Sequence, residues 1–120
     1  MIQEVQLLSH AQQEIMQAHW VKTSQLGALD IAHDPKPVVR LFTPDANATW
    51  LLTELSPDCV LAFGLCDLGV GFPELGFVSL VELQTTRGPF GLPIERDMHF
   101  SADKPLSAYS QQARCTPRVC

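Results

Sequence analysis

The chain has 120 residues, a hydrophobic content of 46% and a formal net charge of −5. This length suits one domain with one core, and the apolar content is sufficient to form that core without a disulfide or a metal. We expect a single domain over residues 1–113 and a flexible tail over 114–120. Because no apolar stretch approaches the roughly 20 residues that span a bilayer, and no secretory signal is recognisable, we expect a cytoplasmic protein without membrane contact.

The charge distribution disfavours direct binding of nucleic acid. No Lys or Arg lies between Arg40 and Arg87, and this stretch carries six acidic residues. A protein that binds DNA or RNA through phosphates needs a basic face. The sequence provides no such segment, so we expect a partner of another kind.

The N-terminal segment has the signals of an amphipathic helix. Ser9 can cap it, and Gln12 stands at the capping-box position. Residues three and four apart form one face: Ile15, Met16, His19 and Trp20. The pattern predicts a helix over about residues 10–21, with this face packed in the core, and a loop over 23–36. The alternative is that Met16 and Trp20 bind a partner.

Three candidate strands follow, over residues 38–43, 48–55 and 59–66. The short connections between them contain Pro, Asp, Asn and Ser, which favour turns, and connections of this length join antiparallel neighbours. The third run is apolar on both faces and is therefore expected inside the sheet. These features predict an antiparallel meander.

The remaining segments alternate between loops and short elements. Residues 67–76 contain three glycines and a proline, which predicts a wide loop, and they lack a phosphate-binding signature. A short strand at 77–78 leads into a helix capped by Ser79, and a last strand is expected within 94–100. Pro105 suits the first turn of a final helix that runs to about Gln112. The predicted fold class is α+β: a single small domain with a meander sheet of three to five strands and N-terminal, central and C-terminal helices.

The first candidate site is a set of carboxylates that we call the acidic rim: Asp45, Asp67 and Glu74. In an antiparallel meander, the turn after the first strand and the loop after the third lie at the same end of the sheet. The rim residues would then be neighbours, with Trp50 and Phe72 beside them. They can dock a basic partner or hold a hard divalent cation. The simpler interpretation is a turn, a loop cap and a solvated acid, and we predict no metal and no cofactor.

The second candidate site is an alternating stripe over the expected last strand. Glu95, Asp97 and His99 share one face, and an acid beside a histidine can act as a general acid/base pair. Charges of this kind also protect an edge strand from unwanted pairing. Arg87 and Arg96 bracket the preceding Pro/Gly loop, where they can pair with acids or bind an anion.

The four cysteines show no metal-binding pattern. Cys59 and Cys66 lie in an apolar strand and are expected to be inert, since burial raises the pKa of a thiol. Cys115 and Cys120 lie in the polar tail, where they can close a small loop on oxidation. No CxxC pair and no neighbouring histidine pair indicates a zinc site.

Several ordered motifs resemble one known family. They are PVVRLFTPDANATW at residues 37–50, FGLCDLG at 63–69, FPELG at 72–76 and LPIERD at 92–97. Together they resemble the domain of unknown function 2958 family over about residues 37–109. The resemblance implies a bacterial setting on plasmids, integrative elements or phage-like islands, a cytoplasmic location and an accessory role. It implies no reaction.

Two functional hypotheses follow. The first is a non-catalytic protein-interaction module that uses the acidic rim and the loop from Gly69 to Gly76 to bind a host protein or a protein of the element. We expect such a module to act in defence evasion or in maintenance of the element. The alternative is a metal-dependent hydrolase or nuclease built on the same carboxylates with His99.

Overall fold

The structure is a computed structural model that describes residues 7–69 and 71–115. The elements, in chain order, are α1 (His10–Gly27), β1 (Val39–Phe42), β2 (Thr49–Leu55), β3 (Leu61–Asp67), β4 (Glu74–Ser79), α2 (Leu80–Thr85), β5 (Glu95–Arg96) and α3 (Leu106–Cys115). The strands form one antiparallel sheet in the order β4-β3-β2-β1-β5. The predicted α+β class and the predicted meander are confirmed. The description stops before residues 116–120, so the flexible tail stays a prediction.

Helix α1 begins as the sequence predicts and ends later. Ser9 Oγ accepts a hydrogen bond from Gln12 N at 3.1 Å, and Gln12 Oε1 accepts one from Ser9 N at 2.9 Å. The helix then runs to Gly27, past the expected end near residue 21. Its polar last turns are held to the sheet, because Thr23 Oγ1 donates to the buried Glu54 carboxylate at 2.8 Å. The sequence has no clear apolar period in these turns, and this hydrogen bond holds them against the sheet instead.

A β-bulge in β2 changes which side chains reach the core. Leu52 pairs with Gly64 and Glu54 pairs with Phe63, so Thr53 is the extra residue. The alternation expected along this strand therefore breaks after Leu52. Six successive residues of β2, from Trp50, are buried, as suits the central strand of a sheet covered on both faces.

Two apolar clusters lie on opposite faces of the sheet. Their larger buried members are Met16, Leu41, Trp50, Leu52, Leu55 and Leu80 in the first cluster, and Leu51, Leu65 and Leu106 in the second. Helices α1 and α2 contribute to the first cluster and α3 to the second. The helical face predicted for α1 is confirmed at Met16, which is fully buried, whereas Ile15 is exposed.

The other corrected boundaries have local causes. Strand β4 begins at Glu74 rather than at residue 77, because Glu74, Leu75 and Gly76 pair with β3. The wide loop expected over 67–76 is therefore limited by Asp67 at the end of β3 and Glu74 at the start of β4. Strand β5 has only two residues instead of a run within 94–100, because Asp97 starts a turn. Helix α3 extends to Cys115.

Helix α3 is fixed by a distant acid. Asp34, in the segment that follows α1, accepts hydrogen bonds from the backbone N–H of Ser107 at 3.0 Å and from its hydroxyl. Leu106 N also donates to Pro35 O at 3.1 Å. These bonds supply acceptors to the first turn of α3. They place the helix over the second cluster, beside the end of the sheet where the acidic rim lies.

Candidate binding groove and acidic rim

The connections that carry the acidic rim lie at the same end of the sheet, as the meander predicts. Thr49, the first residue of β2, lies opposite Asp67, the last residue of β3. Glu74 opens β4 at the same end, opposite Cys66. The three carboxylates nevertheless differ in their hydrogen-bond partners and in their exposure.

Asp45 is directed away from the other two acids. Its Oδ2 accepts hydrogen bonds from the backbone N–H groups of Phe90 at 2.8 Å and Leu92 at 3.3 Å. Its Oδ1 is inaccessible and has no hydrogen-bond partner among the residues that the structure describes. The absent side chain of Gly88 leaves room for this carboxylate, since a Cβ there would lie 1.6 Å from Oδ1. Asp45 therefore fixes the Pro/Gly loop, residues 88–93, to the β1–β2 turn.

Asp67 and Glu74 are placed differently. Asp67 is half-buried, and its Oδ1 accepts a hydrogen bond from Gly69 N at 3.0 Å. This is the contact expected if Asp67 caps the loop. Glu74 is exposed at the start of β4. Within residues 7–69 and 71–115, no three His, Cys, Asp or Glu side chains are grouped so that they could hold a metal ion.

The two aromatic residues assigned to the rim have different environments. Trp50 is 5% exposed and belongs to the first apolar cluster, so it packs in the core. Phe72 is 80% exposed in the β3–β4 loop. An aromatic ring this exposed is a candidate contact for a partner. Of the five residues predicted for this site, Asp67, Phe72 and Glu74 lie in or directly beside the β3–β4 loop and are at least partly exposed.

An open groove of about 1020 Å³ lies beside the rim, on the face of the sheet that α3 covers. Its floor includes Leu51 and Leu65, and Asp67 stands on one wall. The residues that give it chemical character are Arg40, Phe42, Asn47, Phe100, Lys104 and Tyr109. Sequence reasoning missed this groove, since its walls come from β1, the β1–β2 turn, β3 and α3. Asp67 is the only residue of the two predicted sites that lines the groove.

Two cations in the groove lie over aromatic rings. The Arg40 guanidinium is 5.0 Å from the centre of the Phe42 ring, and Lys104 Nζ is 4.0 Å from that of Tyr109. Each cation also has a carboxylate partner: Asp97 for Arg40 at 3.1 Å, and Asp103 for Lys104 at 3.2 Å. The lysine and the Tyr109 hydroxyl lower the pKa of Asp103. The groove thus offers flat apolar surfaces and nearly balanced charge.

In the second predicted site, Asp97 contacts His99 through the backbone. The bond between Asp97 and His99 joins the Asp97 Oδ1 to the backbone N–H of His99 at 3.0 Å, not to its ring. Asp97 Oδ2 accepts from Arg40. Glu95 is exposed in β5, an edge strand, where charge protects against unwanted pairing. The expected common face is lost because the strand ends at Arg96.

The two arginines around the Pro/Gly loop make contacts within the chain. Arg87 donates to the backbone carbonyls of Gln84 at 3.3 Å and Thr86 at 3.0 Å. Arg96 lies 3.4 Å from both Met98 Sδ and Gln12 Oε1. The contacts of Arg87 stabilise the end of α2.

The described cysteine side chains fit structural roles. Burial, with a smaller effect of the nearby Glu74 charge, raises the pKa of Cys66. Cys59 is not in the strand as expected but in the preceding turn, with a positive φ of 64°. The side chain of Cys115 and all of Cys120 lie outside the described residues, so their pairing stays a prediction.

Comparison with known proteins shows the family. The family model described as "Protein of unknown function (DUF2958)" matches residues 7–120. The chain therefore belongs to this family, and the resemblance seen in its motifs is confirmed. No curated protein and no solved structure matches the chain. No helix in the described residues has the length and apolar character needed to cross a membrane.

Proposed function

We propose that this member of the DUF2958 family is a non-catalytic protein-interaction module that binds an extended segment of a partner protein in the groove beside the acidic rim. The observation that carries the proposal is the groove itself, with its apolar floor, aromatic walls and polar groups of both charges. The resemblance of the motifs supports a cytoplasmic, accessory role on a bacterial mobile element, in defence evasion or maintenance.

The size and lining of the groove suit a peptide segment. Its volume of about 1020 Å³ is at the upper limit of small-molecule pockets, which are roughly 300–1,000 Å³ and largely enclosed. Asn47 and Thr49 provide side-chain hydrogen-bonding groups along one wall. Aromatic rings such as Tyr109 are typical of surfaces that bind proteins, because they bury a large apolar area at a low entropy cost.

The charges favour a partner segment with a basic residue. Asp67 lines the groove without a cation beside it among the described residues, whereas Arg40 and Lys104 already contact carboxylates. Glu74 adds negative charge nearby, and the chain as a whole carries −5. A basic side chain in the partner would complement this end of the groove, and its contribution should weaken as salt increases.

The alternative hypothesis, a metal-dependent hydrolase or nuclease, has no particular contact in its favour. Asp45 is directed to the Pro/Gly loop rather than to Asp67, and the described lining of the groove contains no His or Cys. Calorimetry with magnesium, manganese and zinc tests this alternative directly. Binding of any of them at the rim, abolished by Asp67→Asn, would favour the hydrolase over the interaction module.

The test of the proposal compares groove variants with a matched control outside the groove. Asp67→Asn removes the acid and Asn47→Ala removes a side-chain amide from the groove, and Glu14→Gln makes the same change of charge on an exposed acid of α1, on the other face of the sheet. Affinity capture from the native host, quantified by mass spectrometry, should show a partner kept by wild type and Glu14→Gln but depleted by both groove variants. Identical partner lists for all four proteins would refute the proposal.

A further inference from the structure

We infer that the outer edge of β4 pairs with the same edge of a second copy of this chain, joining two five-stranded sheets into one. Strand β4 is at the end of the sheet, and no strand in residues 7–69 or 71–115 pairs with its outer side. This inference concerns a surface separate from the groove and does not depend on the proposed function.

The hydrogen bonds between β3 and β4 show which groups face outward. Leu80 N donates to Val60 O at 2.8 Å, and these residues lie directly opposite each other in the register that continues from β4. In an antiparallel pair, hydrogen-bonded and non-hydrogen-bonded positions alternate. Val78, Gly76 and Glu74 therefore bond to β3. The residues between them direct their backbone N–H and C=O groups to the open edge.

Those intervening residues are Leu75 and Phe77, and they also carry apolar side chains. Leu75 is 41% exposed and Phe77 is 61% exposed, on the same face of the strand. The Phe77 ring packs against two aromatic rings of its own chain. Its centre is 5.0 Å from that of Phe63 and 6.0 Å from that of Trp20. Natural edges are commonly protected by charge, Pro or bulges, and the centre of β4 has none of these.

The edge is complementary to itself in one register. A two-fold axis through Gly76 places Leu75 of each copy opposite Phe77 of the other, so the outward N–H and C=O groups of both residues can pair. The same register forms two aliphatic–aromatic cross-strand contacts. Gly76 lies opposite its own counterpart, with open space where a side chain would be.

Charge also permits this pairing. Glu74, the acidic residue of the strand, comes to lie opposite Val78 of the second copy rather than opposite Glu74. The two glutamates are then separated by four residues along the strand, about 13 Å, which exceeds the Debye length of about 10 Å at 0.1 M salt. Because the contact depends on backbone pairing and apolar side chains, its strength should change little with salt.

The experiment is sedimentation velocity of the full chain from micromolar to millimolar concentration. The wild-type protein should pass from monomer to dimer over this range, as a single-strand interface is small. Leu75→Lys should weaken self-association about tenfold or more, because each dimer loses two cross-strand contacts and gains edge charges. Leu92→Lys is the matched control, since Leu92 is 45% exposed in the Pro/Gly loop, and it should dimerise as wild type does.

A second measurement follows the backbone amides of the β4 edge in the wild-type chain. Amide hydrogen exchange at Leu75 and Phe77 should slow as protein concentration increases, whereas exchange at Gly76 should already be slow in the monomer. A chain that stays monomeric at millimolar concentration would overturn the inference. So would a dimer in which these two amides exchange as fast as in the monomer, or one that Leu75→Lys leaves intact.

Discussion

The Gly64→Ala variant tests how closely β2 and β3 approach. Gly64 lies in β3 opposite Leu52 of β2 and opposite Gly76 of β4. A Cβ at position 64 would lie 1.9 Å from Leu51 O and 2.7 Å from Leu52 Cα, whereas real Cβ contacts essentially never fall below 3.0 Å. Both neighbours are backbone atoms. The strands would therefore have to separate by about 1 Å at the centre of the sheet.

The expected cost of Gly64→Ala is about 3 kcal/mol. Overpacking a core costs roughly 1–3 kcal/mol, and the upper end applies here because backbone rather than a side chain must move. This is a large part of the 5–15 kcal/mol typical of a whole domain. Gly76 provides the control on the facing strand: nothing lies within 4 Å of its Cβ position. Gly76→Ala should be neutral or stabilise by up to about 1 kcal/mol, since alanine restricts the unfolded chain.

Urea unfolding at low protein concentration, followed by tryptophan fluorescence and circular dichroism, measures both variants. Trp50 is a suitable probe because it is buried in the first apolar cluster. A free energy of unfolding for Gly64→Ala within about 1 kcal/mol of wild type, or an equal loss in the Gly64 and Gly76 variants, would show that the sheet accepts the methyl group without moving its backbone.

Three further variants or measurements address the loop, a thiol and the first helix. Asp45→Ala should accelerate amide exchange at Phe90 and lower stability by about 1–2 kcal/mol, because the carboxylate accepts that N–H; unchanged exchange would contradict this role. Burial raises the pKa of the Cys66 thiol, so the folded chain favours the neutral thiol. The contribution of this shift to stability is complete below the pKa of the unfolded thiol and is lost as pH rises through the pKa of the folded one. Iodoacetamide labelling, resolved by peptide mass spectrometry, should be slower at Cys66 in the folded than in the unfolded chain at mildly alkaline pH; equal rates would exclude the shift. Ser9→Ala should cost about 1 kcal/mol in thermal unfolding, and Ser24→Ala, a change on the exposed helix surface, should not; equal losses would show that capping is not responsible.

The sequence predicted elements whose signals are local. The capping box of α1 depends on Ser9 and Gln12, three residues apart, and the meander depends on turns with Pro, Asp and Asn. The start of β4 was missed because Glu74–Gly76 resembles a loop until its pairing with β3 is known. The last turns of α1 were missed for a similar reason, since Thr23 is held by Glu54 from a distant strand.

The candidate site divides in the same way. Topology alone placed the acidic rim at one end of the sheet. It did not show that Asp45 binds the Pro/Gly loop, because the hydrogen-bond donors lie 45 and 47 residues further along the chain. The groove could not be predicted from the sequence, because it depends on where α3 docks. Asp34 fixes that position through Ser107, 73 residues further along the chain.

The order of the strands has a consequence for how the chain folds. Four strands, β1 to β4, are neighbours both along the chain and in the sheet, so each pairing closes only a short segment. Contacts between residues close in sequence form early at low entropic cost. Strand β5 joins β1 only after about 50 intervening residues have been positioned. Most of the sheet will thus leave the ribosome, already able to assemble, before the residues that complete its other edge have emerged.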